Sequence, residues 1–257
     1  MNKQAVDLAA RLLFEARRER RQLDALPREC RPTDLDDANA VRKRLVNLLG
    51  AETCGWFLGG TNGSAVIPVS YAAPILDGNL RASPARLSSG EFMTFEVDVE
   101  FGFRTAHDIP PVANQLDEEE AVNLIASIHP TLDIVSSHFV DLEAVGWPSI
   151  VADNGTDGAI VYGPGTEIWS REGLPDHEAT LYVNGEPFHS GKGRQIMGNP
   201  LSAFTWFVNH MAETGQTIPA GSFVSTGSCT EVYAGTIGDH VRADFGTLGT
   251  VEATYVA

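Results

Sequence analysis

Apolar and polar positions alternate most regularly at Phe95-Glu96-Val97-Asp98-Val99-Glu100-Phe101. Successive strand side chains point to opposite faces, so Phe95, Val97, Val99 and Phe101 line one face and Glu96, Asp98 and Glu100 the other. Neighbours on one face then lie about 7 Å apart. Upstream the period is helical. Val6, Leu8, Ala9, Leu12, Leu13 and Ala16 form a stripe that predicts a helix over residues 4–24. Thr33 as N-cap, with Asp36 three residues on, predicts a second helix running to Leu49 and stopped by Gly50. Cys54 to Gly60 reads as a short buried strand ending in a glycine turn. Residues 61–90, rich in Gly, Pro, Ser and Ala, read as loop with short strands.

Beyond residue 92 the pattern is mostly β. A helix is predicted from Asp117, with Glu118, Glu119 and Glu120 complementing its dipole in the first turn. Thr131 to Val135 is an apolar run interrupted by Asp133, and Ile150 to Gly155 is another that ends in polar turn residues. Ala159–Tyr162 and Ala179–Val183 read as strands, and Val183-Asn184-Gly185-Glu186 as a hairpin turn. Asn199 to Glu213 reads as a helix, with Pro200 at its first position and Gly215 past its end. Ser222–Ser225 and two strands around Gly246-Thr247-Leu248-Gly249 close the chain. The elements do not alternate βαβα, which predicts an α+β fold rather than a doubly wound one. It divides into a helical region with short strands over residues 1–88 and a β-rich domain over 89–257.

Composition narrows the function classes. Hydrophobic content of 43% and charged content of 20% are ordinary for a globular protein, and no run of about 18 apolar residues predicts a membrane span. The start, Met1-Asn2-Lys3-Gln4, leads into a charged helix rather than an apolar signal segment. Cys30, Cys54 and Cys229 are odd in number and lack CxxC spacing, which fits reduced thiols in the cytoplasm. A net charge of −16 argues against nucleic acid. The basic runs Arg17-Arg18-Glu19-Arg20-Arg21 and Arg42-Lys43-Arg44 could bind an anionic partner, but read more simply as solvated helix faces or oligomer contacts. GxGxxG, phosphate-loop and GxSxG patterns are absent, and Gly191-Lys192-Gly193-Arg194 is too short to replace them.

The acids carry the remaining chemistry. Glu96, Asp98 and Glu100 on one face repel unless water solvates them or a cation sits among them. Oxygen-only ligands suit a hard ion such as Mg²⁺ or Mn²⁺, and a solvated face on a half-buried antiparallel strand is the alternative. Asp133, inside an apolar run, needs a metal, an arginine or backbone N–H donors as its partner. With Glu96 and Asp98 it would complete three metal ligands.

Several segments resemble the fumarylacetoacetate hydrolase superfamily. Phe95-Glu96-Val97-Asp98-Val99 looks like its E-x-E-[LI] metal strand. Pro130-Thr131-Leu132-Asp133-Ile134-Val135-Ser136-Ser137 is similar to the P-[AC]-[LI]-E-[IV]-x-[DS]-[SR] segment of the 2-oxopent-4-enoate hydratase and 4-oxalocrotonate decarboxylase branch. Val151-Ala152-Asp153-Asn154-Gly155, Met197 to Ala203, Thr226-Gly227-Ser228, Gly238-Asp239 and Phe245 to Gly249 agree with that branch in order. The resemblance implies a mixed β-roll fold and a divalent metal, Mg²⁺ or Mn²⁺, held by Glu96, Asp98 and Asp133, with Glu100 compensating for the shorter aspartates. It further implies a small 2-oxo acid or its dienol as partner, and a homo-oligomer.

One departure stands out. The branch's G-[WY]-K-[IVL]-G strand reads Gly55-Trp56-Phe57-Leu58-Gly59 here, and Phe57 cannot carry the lysine's proton. Lys192 or Arg194 could replace that charge or be a loop residue. Asp77 and Glu100 join Lys192 as catalytic candidates, and Asn154, Thr156 and Ser228 are candidates for substrate binding. The resemblance implies a lyase that hydrates a 2-hydroxy-2,4-dienoate in aromatic catabolism. The alternatives are a 4-oxalocrotonate-type decarboxylase, a C–C hydrolase using His138 and Glu143, or a non-catalytic homologue lacking the lysine.

Overall fold

The computed structural model describes all 257 residues. Two helices open the chain, α1 (Lys3–Glu19) and α2 (Leu35–Leu49). Asn2 caps α1 by accepting from the Ala5 N–H at 2.9 Å, and the helix ends short of residue 24 because Arg20 turns left-handed. The cap of α2 is Asp34, which accepts from the Asp37 N–H, while Thr33 donates its hydroxyl to the Asp37 carboxylate. The capping chemistry is shifted by one residue from the Thr33–Asp36 reading.

Four strands follow: β1 (Thr53–Gly59), β2 (Tyr71–Leu76), β3 (Leu80–Ala82) and β4 (Ala85–Ser88). Then come β5 (Glu96–Thr105), α3 (Glu118–Ala121), β6 (Ile125–Val135), α4 (Leu142–Val145), α5 (Trp147–Ala152), β7 (Asp157–Tyr162), β8 (Glu178–Val183) and β9 (Glu186–Lys192). The chain ends with α6 (Pro200–Glu213), β10 (Phe223–Ser228), β11 (Tyr233–Ala234), β12 (His240–Asp244) and β13 (Thr250–Val256). The helix expected from Asp117 is one turn long, closed by a capping box between Asp117 and Glu120. The Ile150–Ala152 run is helical and buried, a case where an apolar run alone does not declare its period. No helix is long and apolar enough to cross a membrane.

The strands form two curled sheets. The larger has the order β2-β1-β10-β5-β6-β7-β3, with β11 on β5, and the smaller has the order β4-β13-β12-β8-β9. β1 with β10, β3 with β7 and β4 with β13 are parallel pairs, which require long connections. Strands from residues 53–88 therefore lie beside strands from residues 157–256, and hydrogen bonding runs continuously across residue 88. The larger apolar core fills the space between the sheets, and a smaller one joins α1, α2 and α5 to Phe57, Tyr71 and Phe223.

β5 occupies the middle of the larger sheet, between β10 and β6. Its acidic face is consequently not a solvated one: Asp98 is 7% and Glu100 2% exposed.

Candidate metal centre

Strand register assembles the site. Asp98 of β5 lies directly opposite Asp133 of β6, an unfavourable juxtaposition for two carboxylates unless something compensates it. Glu100, two residues along the same face, lies opposite Thr131. One carboxylate oxygen each from Asp98, Glu100 and Asp133 falls within 4.8 Å of the others. Glu96 does not join this group. It pairs with Val135, one step nearer the strand end, and is half-buried at the edge of the same cavity. The strand acids that converge with Asp133 here are Asp98 and Glu100, while Glu96, expected beside Asp98, stands at the cavity edge. Register places Glu96 and Glu100 symmetrically about Asp98, and it is the Ser225 and Gly227 bonds that hold Glu100 inward.

A bulge in β10 fixes Glu100. Between Ser225 and Ser228 the register with β5 slips, and the one extra residue re-aims the backbone toward the acid. The Ser225 hydroxyl donates to Glu100 Oε2 at 2.5 Å and the Gly227 N–H donates at 2.9 Å. Gly227 has φ +103°, and a Cβ there would meet the Thr61 Oγ1 at 1.9 Å, so both conformation and space require glycine.

Burial pushes the Glu100 carboxyl up to about 7, against the opposing pull of its Ser225 and Gly227 bonds. Burial, then the neighbouring Glu100 charge, holds Asp98 and Asp133 well above the usual carboxylate range. Two like charges at 4.8 Å repel by roughly 3 kcal/mol at an effective dielectric of ~20. No Lys, Arg or His lines the cavity of about 220 Å³ in which the acids lie, so no side chain neutralises them. Asp98 Oδ1 is buried with no hydrogen-bond partner. An all-oxygen donor set with one orphaned buried oxygen fits a hard divalent cation.

Other expected site residues divide between the cavity and its surroundings. Thr156 and Ser228 line it. Asn154 does not: it is fully buried behind the wall, donating its amide to the Pro74 carbonyl at 3.1 Å. Asp77 is exposed in the turn after β2, outside the cavity. Lys192 is likewise exposed, at the end of β9. Strand alternation turns Gly191 inward and Lys192 toward water, where an ammonium avoids desolvation. Arg194 pairs with Asp176 in solvent, Glu143 is exposed, and His138 is tied to Asp153 at 3.1 Å, so none supplies the missing charge or a water-activating pair. Phe57 does line the cavity, edge-on to Tyr71 with ring centroids 6.5 Å apart.

Tyr71, which the sequence reading did not single out, presents a phenol to the cavity. Its position in an aperiodic, glycine-rich stretch left no signal beyond its residue type. Burial, then the Asp133 charge, pushes its hydroxyl well above the usual tyrosine range.

Comparison with known proteins agrees with this architecture. The 4-oxalocrotonate decarboxylase of Pseudomonas putida is 28% identical over 137 residues, 53% of this chain and 52% of that protein. The chain spans about half the length of the first curated relatives it matches. The 2-oxo-hept-4-ene-1,7-dioate hydratase of Escherichia coli is 23% identical over 269 residues, 97% of each chain. The structure of 4-oxalocrotonate decarboxylase from Pseudomonas putida G7, complexed with magnesium and adipate, superposes with a TM-score of 0.85 at 20% identity, covering 100% of this chain and 99% of that one. Residues 79–256 match the fumarylacetoacetate (FAA) hydrolase C-terminal family, and they carry every strand except β1 and β2 together with all three converging acids; the chain belongs to that family.

Proposed function

We propose that this chain is a divalent-cation-dependent lyase that hydrates a 2-hydroxy-2,4-dienoate, the dienol of a small 2-oxo acid. The observation that carries this reading is the convergence of Asp98, Glu100 and Asp133 in a cavity without a basic side chain. These three residues would hold Mg²⁺ or Mn²⁺, with Glu96 beside them at the cavity edge. The magnesium complex of the similarly folded decarboxylase supports the choice of a divalent ion.

The chemistry such an ion supplies when bound is Lewis-acid polarisation of the substrate's 2-oxygen. The chain's own groups do the rest. Ser225 and Gly227 hold Glu100 ready before substrate arrives. Thr156 and Ser228 offer hydroxyls to the substrate's polar end. Phe57, Ile67, Leu142, Ile150 and Val232 wall the cavity with apolar surface that excludes water from the conjugated chain. Tyr71 keeps its proton and serves as the proton donor, the role the family resemblance gives to a lysine at position 57. Tyr71→Phe is expected to lower kcat by about 10²–10⁴-fold while leaving Mg²⁺ affinity unchanged. Wild-type turnover in that variant would remove Tyr71 from the mechanism.

Lack of a basic side chain in the cavity favours a monocarboxylate, since a second carboxylate would find no counter-charge. That observation puts dienoate hydration ahead of decarboxylation of an oxalocrotonate-type dicarboxylate, the reading favoured by similarity to the decarboxylases. Mixing Mg²⁺-loaded protein with 2-hydroxypenta-2,4-dienoate tests both. Loss of dienol absorbance without CO₂ is the expected result. CO₂ release from a dicarboxylic analogue would favour the decarboxylase, and no turnover across a panel of 2-oxo acids despite Mg²⁺ binding would refute both.

A further inference from the structure

A second large cavity lies on the other side of β1. Phe57 lines the acidic cavity, whereas the preceding residue, Trp56, lines this one, and the two cavities share no residue. Its volume is about 460 Å³, within the range of roughly 300–1,000 Å³ typical of small-molecule sites. Its electrostatics are reversed. Arg42, Lys43 and His210 stand in the wall, and not one lining residue is Asp or Glu, in a chain that has 34 of them.

Arg42 makes the case. Its Nη1 is buried and has no hydrogen-bond partner. Arg17, by contrast, meets two carboxylates and a carbonyl. A guanidinium has five donors and no acceptor, so burying one of its nitrogens without a partner is unfavourable unless something else accepts from it. Burial lowers Arg42 to about 10, which still leaves it protonated at neutral pH. The core face of α2 is already supplied by Ala38, Val41 and Leu45, so Arg42 is not needed for packing there. Asn39, one turn earlier on the same face, also has a buried and unpartnered Oδ1. Rotating that amide would turn its NH₂ to the same place. Across the cavity, His210 is fixed by stacking on Trp206 at 5.1 Å and 8°.

We infer that this cavity binds a small organic oxyanion, a carboxylate or a phosphate monoester, seated on the Arg42 guanidinium with Asn39 and His210 beside it and the Trp56 indole against its apolar part. A planar fork suits either head group in a bidentate pair. Neither the family's carboxylate cluster nor the proposed lyase reaction calls for this second site.

Titrating the full-length protein with inorganic phosphate and, separately, with acetate tests the inference, in Mg²⁺ and again in EDTA. Saturable binding is expected in both buffers, with a rise in Tm and a shift of the Trp56 indole ¹H–¹⁵N resonance. Tighter phosphate binding would assign phosphate esters, and tighter acetate binding carboxylates. Arg42→Met is expected to weaken binding by at least about tenfold and to leave Mg²⁺ affinity unchanged. Arg42→Lys, which keeps the charge but not the fork, should fall between and serves if the methionine variant does not fold. No saturable binding at millimolar anion, wild-type affinity in Arg42→Met, or binding that disappears in EDTA would overturn the inference, the last by moving the anion to the acidic cavity.

Discussion

Replacing Asp133 by Asn is expected to weaken Mg²⁺ binding by at least about 100-fold while making the metal-free protein harder to unfold. Both effects follow from the register that sets Asp133 opposite Asp98 with Glu100 beside them. Without a cation, three buried carboxylates and no basic neighbour are a net liability, and removing one charge at constant shape relieves it. With a cation, the same change deletes a ligand, and turnover should fall by about 10²–10³-fold or more. Calorimetric titration with Mg²⁺, together with melting curves in EDTA, reads the two effects separately. Unchanged Mg²⁺ affinity would refute the ligand assignment. A lower melting temperature in EDTA would show that the cluster is held together by shared protons rather than strained by charge.

Arg17→Met is expected to destabilise the chain by about 3–5 kcal/mol, or roughly 10 °C in Tm for a chain of this length. Arg17 reaches from α1 to Asp153 at 2.8 Å and to Asp157 at 2.6 Å, and also takes the Asp153 carbonyl at 2.8 Å. All three side chains are nearly out of solvent, so losing the cation leaves two buried carboxylates uncompensated. The consequence reaches the site. Asp153 and Asp157 bracket Asn154-Gly155-Thr156, three consecutive residues with φ of 53°, 68° and 65°, and a left-handed non-glycine residue costs about 1–2 kcal/mol. Thr156 stands in the cavity wall because this clamp holds the turn. Substituting Asn for both aspartates in the Arg17→Met background should recover part of the loss.

Asp153 sets an acid limb, whereas at Asp157 burial outweighs the Arg17 charge and holds the carboxyl above its usual range. Burial alone would raise Asp153, but the charges of Arg17 and then His138 outweigh it and hold the carboxyl below the usual aspartate range. A depressed folded-state value means that this contribution is complete above the unfolded pKa of about 3.9. It is lost as pH falls through the lower folded value. Urea unfolding between neutral pH and pH about 3 should therefore show a stability decline in wild type that is shallower in Arg17→Met. Coincident pH profiles with unchanged Tm would show that the clamp does not stabilise the fold.

How much of this was legible beforehand depends on range. Local chemistry was: the cap at the start of α2, Gly50 at its end, the Asn184-Gly185 hairpin and the Pro200 start of α6 all stand where residue types placed them, within a residue. The alternation at residues 95–101 likewise determined that Glu96, Asp98 and Glu100 share a face, because the pleat is a property of consecutive residues. Asp133 could be marked as an acid in need of a partner for the same reason.

Tertiary structure decided the rest. Whether the acidic face met water depended on β5 lying between β10 and β6, and pairings separated by more than a hundred residues are not encoded in a local period. Cross-strand register set Asp133 opposite Asp98, and the choice of Glu100 over Glu96 depended on the β10 bulge that delivers Ser225 and Gly227. Lys192 looked available because it is the only lysine after residue 43, yet the pleat of β9 turns it outward. Tyr71 carried no pattern, and Arg17 and Arg42 belonged to basic runs that read as solvated helix faces. Only packing gave Tyr71 a place in the acidic cavity, set Arg17 between two buried aspartates and buried the Arg42 Nη1 without a partner. The sequence by itself determined which side chains share a face, since that geometry is local. Which faces are buried, and which charges meet there, came from long-range strand pairing.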